Sequence, residues 1–427
     1  MSDERSLPTG RLGRLARLAA LGARTGASLV ASKTGEAAAE RAAEVLGNMR
    51  GLAAKVGQMA SYVDGMVPEA HRDAYETALT KLRSAAPTSS PEAIRRTVEE
   101  ELGAPIDHLF ASFEEEPCAS ASIGQVHRAH LADGREVAVK VQHQGIGDAI
   151  EADLANVSML ERFAAFGPMR RFDAKSALDQ VRARFREELD YKLEAERQRY
   201  FADLHAGDPL IVIPDVIDDR SARRVLTTTF VRGRTLQQVA TDDEAARRLA
   251  AETLWRFVFK GNLVGGLFNA DPHPGNYVFL EGGRIAFLDH GCCQPIDAAH
   301  LAAAQAAHRA ALARDESAFA NMVPILVGTK PGRWEEWVIS YSRRCFSPLF
   351  ESPYHVDRKW TAELVEIVSQ AKKLAITVPA SEFTPLPPSM VFMNRLQFGF
   401  YSVLARLDVE ADYARVERDF MRDAGLL

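Results

Sequence analysis

Three polar residues, Asp271, Asn276 and Asp289, occur in an order that suits phosphoryl transfer. Asp271 and Asn276 bound the run Asp-Pro-His-Pro-Gly-Asn, and Asp289 opens the tripeptide Asp-His-Gly. Phosphoryl-transfer sites use a carboxylate that faces the acceptor, followed by an amide and a second carboxylate that bind Mg²⁺. The order therefore predicts Asp271 as the catalytic carboxylate, and Asn276 and Asp289 as metal ligands. A turn aspartate before Gly291 is the alternative for Asp289.

Upstream, a stretch of small residues precedes a strand-like segment that ends in Lys140. The stretch has the spacing of a glycine-rich phosphate loop with alanine at its first two glycine positions. Small residues let backbone N–H groups approach phosphates, although alanine disfavours positive φ and stiffens the loop. A small-residue turn and an ordinary strand lysine are the alternatives. The candidate nucleotide-binding residues are Ala119, Ser120, Ala121, Ser122, Ile123, Gly124, Val126 and Lys140.

The elements that must position these residues can be predicted from periodicity. Residues 127–131 and 136–142 alternate as strands on either side of Asp133-Gly134, which is a strong hairpin signal. Residues 210–217 and 224–230 predict two further strands. In a nucleotide site of this type, Lys140 therefore projects from the second strand of the hairpin.

A long helical region, residues 146–205, lies between the two pairs of strands. Within it, Glu187, Asp190 and Glu194 are spaced i, i+3 and i+7, so a continuous helix would place them on one face. A helix glutamate is needed to hold the phosphate-binding lysine, and these residues are the candidates. A solvated acidic face is the alternative, because charge runs on helices are usually exposed.

The second half of the chain is predicted to be mostly helical around one short hairpin. Strands at 276–280 and 284–288 would place Asn276 and Asp289 at neighbouring strand ends. Helix-like sequence resumes at 296–313, and a final helix is expected near 390–407. No Ala-Pro-Glu follows Gly291, so the activation segment with which protein kinases dock a peptide is not expected.

The first 86 residues contain a basic segment followed by a helical one. Residues 1–35 carry six basic residues against two acidic ones, with leucines recurring among the arginines. This segment predicts either an amphipathic helix on an anionic membrane surface or a frayed, solvated tail. Residues 36–86 have helical spacing and include Lys55 and Gln58, which share a helix face at i, i+3.

The composition argues against several broad classes of protein. The 427 residues carry a net charge of −6, so no global basic field favours nucleic acid as a partner. Four cysteines without a Cys-x-x-Cys pair, and no signal peptide, predict free thiols in a reducing, cytoplasmic setting. Residues 254–268 are the most apolar run, but Arg256 and Lys260 interrupt them, so a spanning helix is not predicted.

Taken together, these motifs resemble the UbiB family, also called AarF or ADCK kinases. The resemblance rests on Lys55-Val56-Gly57-Gln58, the loop 119–126, the strand 137–140, Glu188-Leu189-Asp190-Tyr191, and the runs 271–276 and 288–291. It implies an α+β, two-lobed protein-kinase-like fold with a helical N-terminal extension. It also implies ATP and Mg²⁺ as cofactors, and a role in isoprenoid quinone (ubiquinone) biosynthesis at a membrane.

The resemblance also assigns roles to individual residues. Glu194 is expected to pair with Lys140, and Asp271 to be the catalytic-loop aspartate. Asn276 and Asp289 are expected to bind the metal. Lys55 and Gln58 belong to the occluding extension, whose lysine is expected to reach Glu188 and Asp190 and to block the space for a protein substrate.

Two residues depart from the family pattern. Ser120 replaces an alanine in the loop, which affects nucleotide preference or pose, and His290 replaces the phenylalanine of the metal motif. No C-terminal membrane helix is predicted, so any membrane contact would be peripheral. The predicted domains are a basic tail (1–35), the extension (36–110), the N-lobe with its helical insert (111–232) and the helical C-lobe (233–427).

Three functions fit the sequence. The first is a UbiB-like kinase or ATPase that acts on or for a membrane lipid such as a quinone precursor. The second is a small-molecule phosphotransferase of the aminoglycoside- or choline-kinase type, against which the motif at Lys55–Gln58 and the alanine-rich loop argue. The third is a nucleotide-gated scaffold for partners in a biosynthetic complex, against which the complete set of catalytic residues argues.

Overall fold

The computed structural model describes residues 89–121, 123–151, 174–385 and 389–427. The basic tail (1–35), Lys55, Gln58 and Ser122 lie outside the described residues, so the predictions made for them stay predictions. Within the described ranges, no helix combines the length and the apolar character that crossing a membrane requires.

Short strands and longer helices alternate along the described chain. The strands are β1 (Ser112–Phe113), β2 (Ala119–Ser120), β3 (Gly124–His130), β4 (Glu136–Gln142), β5 (Ile211–Val212), β6 (Val225–Thr229), β7 (Leu267–Asn269), β8 (Tyr277–Phe279), β9 (Ile285–Phe287), β10 (Cys293–Pro295), β11 (Tyr354–His355) and β12 (Glu410–Ala411). The helices are α1 (Pro91–Leu102), α2 (Ile106–Leu109), α3 (Ala174–Glu188), α4 (Tyr191–Leu204), α5 (Leu236–Val239), α6 (Glu244–Leu263), α7 (Ala298–Leu312), α8 (Glu316–Val327), α9 (Arg333–Cys345), α10 (Ser347–Phe350), α11 (Arg358–Thr377), α12 (Ser389–Leu407) and α13 (Tyr413–Asp423).

The first structural unit is a five-stranded antiparallel sheet with the order β1-β3-β4-β6, in which β2 also pairs with β3. The hairpin predicted at Asp133-Gly134 joins β3 to β4, with Val126 opposite Lys140. Strand β6 then pairs with the other edge of β4, placing Leu226 beside Lys140. Lys140 therefore lies on the central strand of the sheet.

Alternation along β4 decides which face Lys140 occupies. Val137, Val139 and Val141 are completely buried in one apolar cluster, together with Ile94 and Val98 of α1. Because successive strand residues point to opposite faces, Lys140 projects from the face that lies away from α1. That face packs against a second apolar cluster formed with α3 and α4. The sequence pattern of β4 thus fixes the direction of the lysine.

Helix α1 covers the outer face of the sheet and begins at a Ser-Pro pair that is typical of helix starts. The Ser90 hydroxyl accepts a hydrogen bond from the backbone N–H of Ala93, and Pro91 occupies the first helical position. The helix ends at Leu102, with Gly103 in the left-handed region at φ 73°. Its buried residues Ile94 and Val98 are i, i+4 and close the cluster above the sheet.

The helical region before the second pair of strands is not continuous. Helix α3 ends at Glu188, and α4 begins at Tyr191 after the Asp190 carboxylate accepts a hydrogen bond from the N–H of Lys192 at 3.0 Å. The break at Leu189 and Asp190 corrects the prediction of one long helix. The helix-capping preference of Asp190 starts a new helix at this point.

The strand predicted at 210–217 is divided between two partners. Only Ile211–Val212 is a strand in the first segment, and it pairs in parallel with β9. The residues before β6 contribute a single bridge, between Val216 and Thr228. Pro214 lies between these two contacts and cannot donate a ladder hydrogen bond, so a continuous strand is disfavoured there.

The rest of the described chain is helical around a large apolar core. Helix α6 is central and contacts α12, α13 and β7. Its Trp255 and Phe257 are buried, and the Phe257 ring stacks on Phe287 of β9 with centroids 3.6 Å apart. The predicted final helix corresponds to α12, but α13 follows it and packs back on α6. Helix α6 thus packs against β7 and β9, the strands that precede Asp271 and Asp289.

Candidate nucleotide and metal site

Lys140 is held between two carboxylates that come from different parts of the chain. Its Nζ lies 2.7 Å from Oε1 of Glu194 in α4 and 3.2 Å from Oδ2 of Asp289, which follows β9. The ring of Tyr191 lies under the same ammonium group, with its centroid 5.0 Å from Nζ. The structure therefore joins the predicted phosphate-binding lysine to the predicted helix glutamate and to one predicted metal ligand.

Burial makes these charges depend on one another. The side chains of Lys140 and Glu194 are 16% and 3% exposed, whereas that of Asp289 is 29% exposed. Although burial disfavours its charge, the carboxylates of Asp289 and Glu194 hold the pKa of Lys140 well above its usual range. Burial raises the pKa of Glu194 to about 7, against the opposing effect of Lys140. Lys140 is thus a fixed cation, and Glu194 is the carboxylate whose proton occupancy varies near neutral pH.

Of the three carboxylates predicted on one helix face, Glu194 is the one that reaches Lys140. Asp190 caps α4, and Glu187 at the end of α3 instead contacts Arg184 and Arg197. Glu188, which is 7% exposed, also lies at the end of α3. Lys55, the predicted partner of Glu188 and Asp190, lies outside the described residues, so that contact stays a prediction.

Asp271 and Asn276 form a compact loop on the other side of the site. The side-chain amide of Asn276 donates to both the Oδ2 and the backbone carbonyl of Asp271, each at 3.2 Å. Asn269 fixes this loop to the metal motif, because its Nδ2 donates to the carbonyl of Asp289 and its Oδ1 accepts from the N–H of Asp271. Asn269 escaped sequence prediction, although it stands only two residues before Asp271.

The Asp-His-Gly tripeptide makes a tight turn. The N–H of Gly291 donates to Oδ1 of Asp289 at 2.9 Å, which leaves Oδ2 directed toward Lys140. A Cβ on Gly291 would lie 3.3 Å from both Oδ1 of Asp289 and Oε2 of Glu194. Residue 291 therefore allows the two carboxylates to approach it from both sides.

His290 points away from the site into the apolar core. It is completely buried, and its ring centroid is 5.1 Å from that of Phe201 and 6.4 Å from that of Phe257. Within the described part of the chain, neither ring nitrogen has a hydrogen-bond partner. Burial lowers the pKa of His290 to about 4, so the ring is neutral at physiological pH. A neutral imidazole therefore packs here as an aromatic ring, despite its departure from the family pattern.

The small-residue loop is a hairpin between β2 and β3. Ala119 pairs with Val126 and Ser120 with Gln125, and the N–H of Ala121 donates to the carbonyl of Gly124 at 2.9 Å. The side chains of Ala119 and Ser120 are exposed, whereas Ile123 and Gly124 are buried. The predicted nucleotide contacts at 119–121 thus lie at the open edge of the sheet, and their role stays a prediction.

Gly124 is required for a different reason from phosphate binding. A Cβ at this position would lie 2.2 Å from the carbonyl oxygen of Val141 on β4, which is closer than any real contact allows. The two strands therefore approach each other more closely here than any side chain permits. Gly124, at the end of the loop, therefore lies directly against Val141 of β4, the residue that follows Lys140.

A series of hydrogen bonds among polar groups, which sequence analysis missed, holds the strand that follows the loop. The N–H of Ser89 donates to Gln125 Oε1 at 2.8 Å, and Gln125 Nε2 lies 2.9 Å from His127 Nε2. His127 Nδ1 lies 2.8 Å from the carbonyl oxygen of Glu114, which can only accept, so Nδ1 carries the proton and Nε2 accepts from Gln125. Gln125 and His127 alternate with Val126 and Arg128 along β3, and this alternation, which places both polar residues on one buried face, was the available signal.

Replacing Gln125 with leucine is expected to lower the free energy of unfolding by about 1 to 3 kcal/mol, because the N–H of Ser89 and Nε2 of His127 lose their partner. Denaturant unfolding monitored by circular dichroism measures this change. The exposed Gln237→Leu variant is the matched control and should stay within about 0.5 kcal/mol of the wild type. Equal stability of the two variants would contradict the assignment of this chain of hydrogen bonds.

The donor set fits a hard cation such as Mg²⁺. Asp289 supplies a carboxylate oxygen and Asn276 an amide oxygen, and both side chains are partly exposed. Mg²⁺ usually takes only one or two protein oxygens and completes its shell with phosphate oxygens and water. No cluster of three or more His, Cys, Asp or Glu side chains that could hold a metal occurs among the described residues. The residues present therefore suit a metal that arrives with a nucleotide.

Comparison with known proteins identifies the family. Residues 81–323 match the model of the ABC1 atypical kinase-like domain. The chain is 30% identical over 314 residues to the mitochondrial atypical kinase COQ8B of Danio rerio, and 31% identical over 318 residues to the mitochondrial atypical kinase coq-8 of Caenorhabditis elegans. These matches cover 69% and 68% of this chain but only 50% and 41% of the two relatives, so the chain spans about half of their length or less.

A solved structure supports the same fold. The Rv3197 protein of Mycobacterium tuberculosis, in its complex with erythromycin, matches with a TM-score of 0.60 at 27% identity. The match covers 85% of this chain and 90% of that one. The predicted kinase-like α+β fold is confirmed. The chain belongs to the ABC1 atypical kinase-like family, which is the UbiB or ADCK family that its motifs indicated.

Proposed function

We propose that this protein binds MgATP between the first sheet and the helical half of the chain, and that it transfers or hydrolyses the terminal phosphoryl group. The observation that carries the proposal is the position of Lys140, with Nζ 2.7 Å from Glu194 and 3.2 Å from Asp289. Phosphoryl transfer depends mainly on positioned charge, and this cluster fixes a cation beside a partly exposed carboxylate.

Each residue then has a distinct role. Lys140 holds the α- and β-phosphates, and Glu194 keeps the lysine extended from β4. Asn276 and Asp289 would hold the metal, which supplies charge neutralisation for the phosphates when it is bound. Asp271, whose Oδ2 accepts from Asn276, would accept a proton from the attacking hydroxyl or water. Residues 119–124 and Val126 would cover the phosphates from the open edge of the sheet.

The arrangement after the metal motif argues against a peptide substrate. Strand β10 begins two residues after Gly291, and Asp297 caps α7, whose first residue is Ala298. This short connection replaces the activation segment on which protein kinases dock a peptide. A small molecule or lipid acceptor, or water, is therefore favoured. A soluble small-molecule phosphotransferase remains the second candidate, because it also needs no such segment.

The membrane and quinone part of the proposal rests on the family. The two named relatives are atypical kinases described as mitochondrial. We extend to this chain the family link with isoprenoid quinone or lipid metabolism, and a peripheral contact between the basic residues at 1–35 and an anionic bilayer. Biosynthetic partners would be recruited at the same surface.

The decisive experiment measures MgATP binding and hydrolysis by the wild type and by Asp289→Asn, with and without anionic vesicles. Asparagine keeps the shape of the side chain but removes the charge that faces Lys140 and the metal. We expect Mg²⁺-dependent nucleotide affinity to fall by at least about 10-fold and hydrolysis to be lost. Hydrolysis raised by vesicles in the wild type would support the lipid-linked reading.

Three other outcomes discriminate between the alternatives. Unchanged hydrolysis in Asp289→Asn would refute the site assignment. Tight Mg²⁺-dependent binding without turnover in any condition would favour a nucleotide-gated scaffold. Rapid phosphorylation of a soluble amino alcohol or sugar, without any effect of vesicles, would favour the small-molecule phosphotransferase.

A further inference from the structure

Two arginines from successive helices donate to the backbone of the metal motif. Arg197 of α4 donates from NH1 to the carbonyl oxygen of Gly291 at 2.9 Å. Arg184 of α3 donates from NH1 to the carbonyl oxygen of Cys293 at the same distance. The segment 289–293 is thus held from the side of α3 and α4, in addition to its hydrogen bonds with β7 and the loop after it.

A single carboxylate holds both arginines in place. Oε2 of Glu187 lies 2.7 Å from NH1 of Arg184 and also accepts from NH2 of Arg197. The Arg197 side chain is only 10% exposed, so little water competes for its guanidinium group. An arginine that bonds a carboxylate and a carbonyl at once has its planar fork fixed in two directions. We call Arg184, Glu187 and Arg197 the arginine clamp.

The clamp is connected to the site through a single residue, Gly291. Arg197 bonds the carbonyl of Gly291, and the N–H of the same residue donates to Oδ1 of Asp289. Arg197 also follows Glu194 by three positions on α4, so both side chains project from neighbouring positions of one helix. Helix α4 therefore holds Lys140 through one residue and the Asp289 turn through another.

We propose that Arg197, fixed by Glu187, is a positioning residue that sets the orientation of Asp289 toward Lys140 and the metal. This inference rests on the proposed function, because it concerns the same nucleotide and metal site. Arg197 touches neither the nucleotide nor the metal in this role. It acts through Gly291, as the outer hydrogen-bond partners of metal ligands do. Movement of α4 then displaces the lysine–glutamate pair and the metal ligand together.

Helix α4 provides a matched control for a purely structural ion pair. Arg199, two residues further on, pairs with Asp218 at the surface, and its side chain is 42% exposed. Among the described residues, Arg199 makes no hydrogen bond to the metal motif. Arg199→Met removes the same chemical group from the same helix. Arg197→Lys keeps one donor but cannot bond Glu187 and Gly291 with a planar fork.

The test uses two readouts on the full chain, wild type and variants. The first is the Mg²⁺ concentration needed for half-maximal binding of a fluorescent ATP analogue. Arg197→Met should raise this Mg²⁺ concentration by about 10-fold to 100-fold. The value for Arg197→Lys should lie between those of the wild type and Arg197→Met, and Arg199→Met should match the wild type. The second is amide hydrogen exchange of the segment 289–293 without nucleotide, which should be faster in Arg197→Met than in the wild type and unchanged in Arg199→Met.

The two readouts separate failure of the clamp from failure of the proposed function. Suppose that nucleotide binding by the wild type depends on Mg²⁺, and that Arg197→Met binds nucleotide and exchanges amide hydrogens like the wild type. This result would overturn the clamp and leave the proposed function intact. A wild type without Mg²⁺-dependent binding would overturn the function and the clamp's role toward a metal. In that case faster exchange at 289–293 would still show that Arg197 orders the turn, whereas unchanged exchange would remove the clamp altogether. If Arg197→Met and Arg199→Met raised the required Mg²⁺ concentration equally, the cause would be a general effect on α4, and the inference would be overturned.

Discussion

Lys140→Met is expected to abolish MgATP binding and to destabilise the folded protein by about 3 to 5 kcal/mol near pH 8, because it removes one partner from a buried charge cluster. Methionine fills a similar volume on β4, so the loss comes from charge and not from a cavity. Glu194, 3% exposed, would face Asp289 with no cation between them. Nucleotide binding by equilibrium fluorescence and unfolding by denaturant measure the two effects.

The loss of stability in Lys140→Met should depend on pH in a defined direction. The pKa of Glu194 is about 7 in the folded protein even beside Lys140, and without the lysine it rises further. A carboxyl with a raised folded pKa binds its proton more tightly when folded than when unfolded. Its contribution to stability is therefore full below the unfolded pKa, near about 4.5, and is lost as pH rises through the folded value. The wild type and the variant should thus lose this contribution alike up to about pH 6, and only the variant should go on losing it above about pH 7, where Glu194 of the wild type is already ionised.

The double variant Lys140→Met/Glu194→Gln separates folding from binding. A glutamine carries no charge, so the double variant should recover much of the lost stability and lose the pH dependence. It should still fail to bind MgATP, because no cation remains to hold the phosphates. Recovery of binding in the double variant would mean that Lys140 serves the fold alone. A flat pH profile in Lys140→Met would mean that Glu194 is not the residue that takes up the proton.

Local patterns in the sequence were sufficient to predict the strands of the first sheet from which Lys140 projects. The alternation of Val137, Val139 and Val141 fixes the face of Lys140, and Asp133-Gly134 fixes the register of β4 on β3. The cap formed by Ser90 and Pro91 likewise decides where α1 begins. Each of these depends on residues that are neighbours along the chain, so period and turn chemistry predict them.

The choice among the carboxylates depended on where one helix ends. Glu187, Asp190 and Glu194 share a face only if the helix is continuous, but α3 ends at Glu188 and α4 starts after Asp190. Because of this break, Glu187 contacts Arg184 and Arg197, and Asp190 caps α4. Glu194 is then the carboxylate that contacts Lys140. Spacing alone could not decide this, and the family resemblance supplied the assignment that the geometry supports.

Long-range pairing accounts for the other differences. Of the strand predicted at 210–217, the residues around Ile211 pair with β9, more than seventy positions away, and only Val216 pairs with β6. The hydrogen bonds from Arg197 to Gly291 and from Asn269 to Asp289 likewise join segments whose proximity no periodicity reveals. His290 could be identified as a departure from the family pattern, but only its neighbours Phe201 and Phe257 show why a neutral ring is tolerated there.

Asp271→Asn is expected to separate turnover from binding. The Asn276 amide donates to Oδ2 and to the backbone carbonyl of Asp271, and an asparagine at 271 can still present an acceptor oxygen to it. The loop should therefore keep its shape while it loses the group that accepts a proton. We expect kcat for phosphoryl transfer or hydrolysis to fall by about 10²-fold to 10⁴-fold. The Kd for MgATP should change little.

The matched control for this variant is Asp203→Asn, which changes an exposed aspartate in α4 by the same single substitution. Its kcat and Kd should equal those of the wild type. If Asp271→Asn weakened MgATP binding as strongly as it slowed turnover, Asp271 would be a ligand of the metal or a structural residue of the loop. If neither quantity changed, the acceptor would be activated by another group. Because the same loop carries Asn276, only the combination of retained binding with slow turnover assigns proton transfer to Asp271.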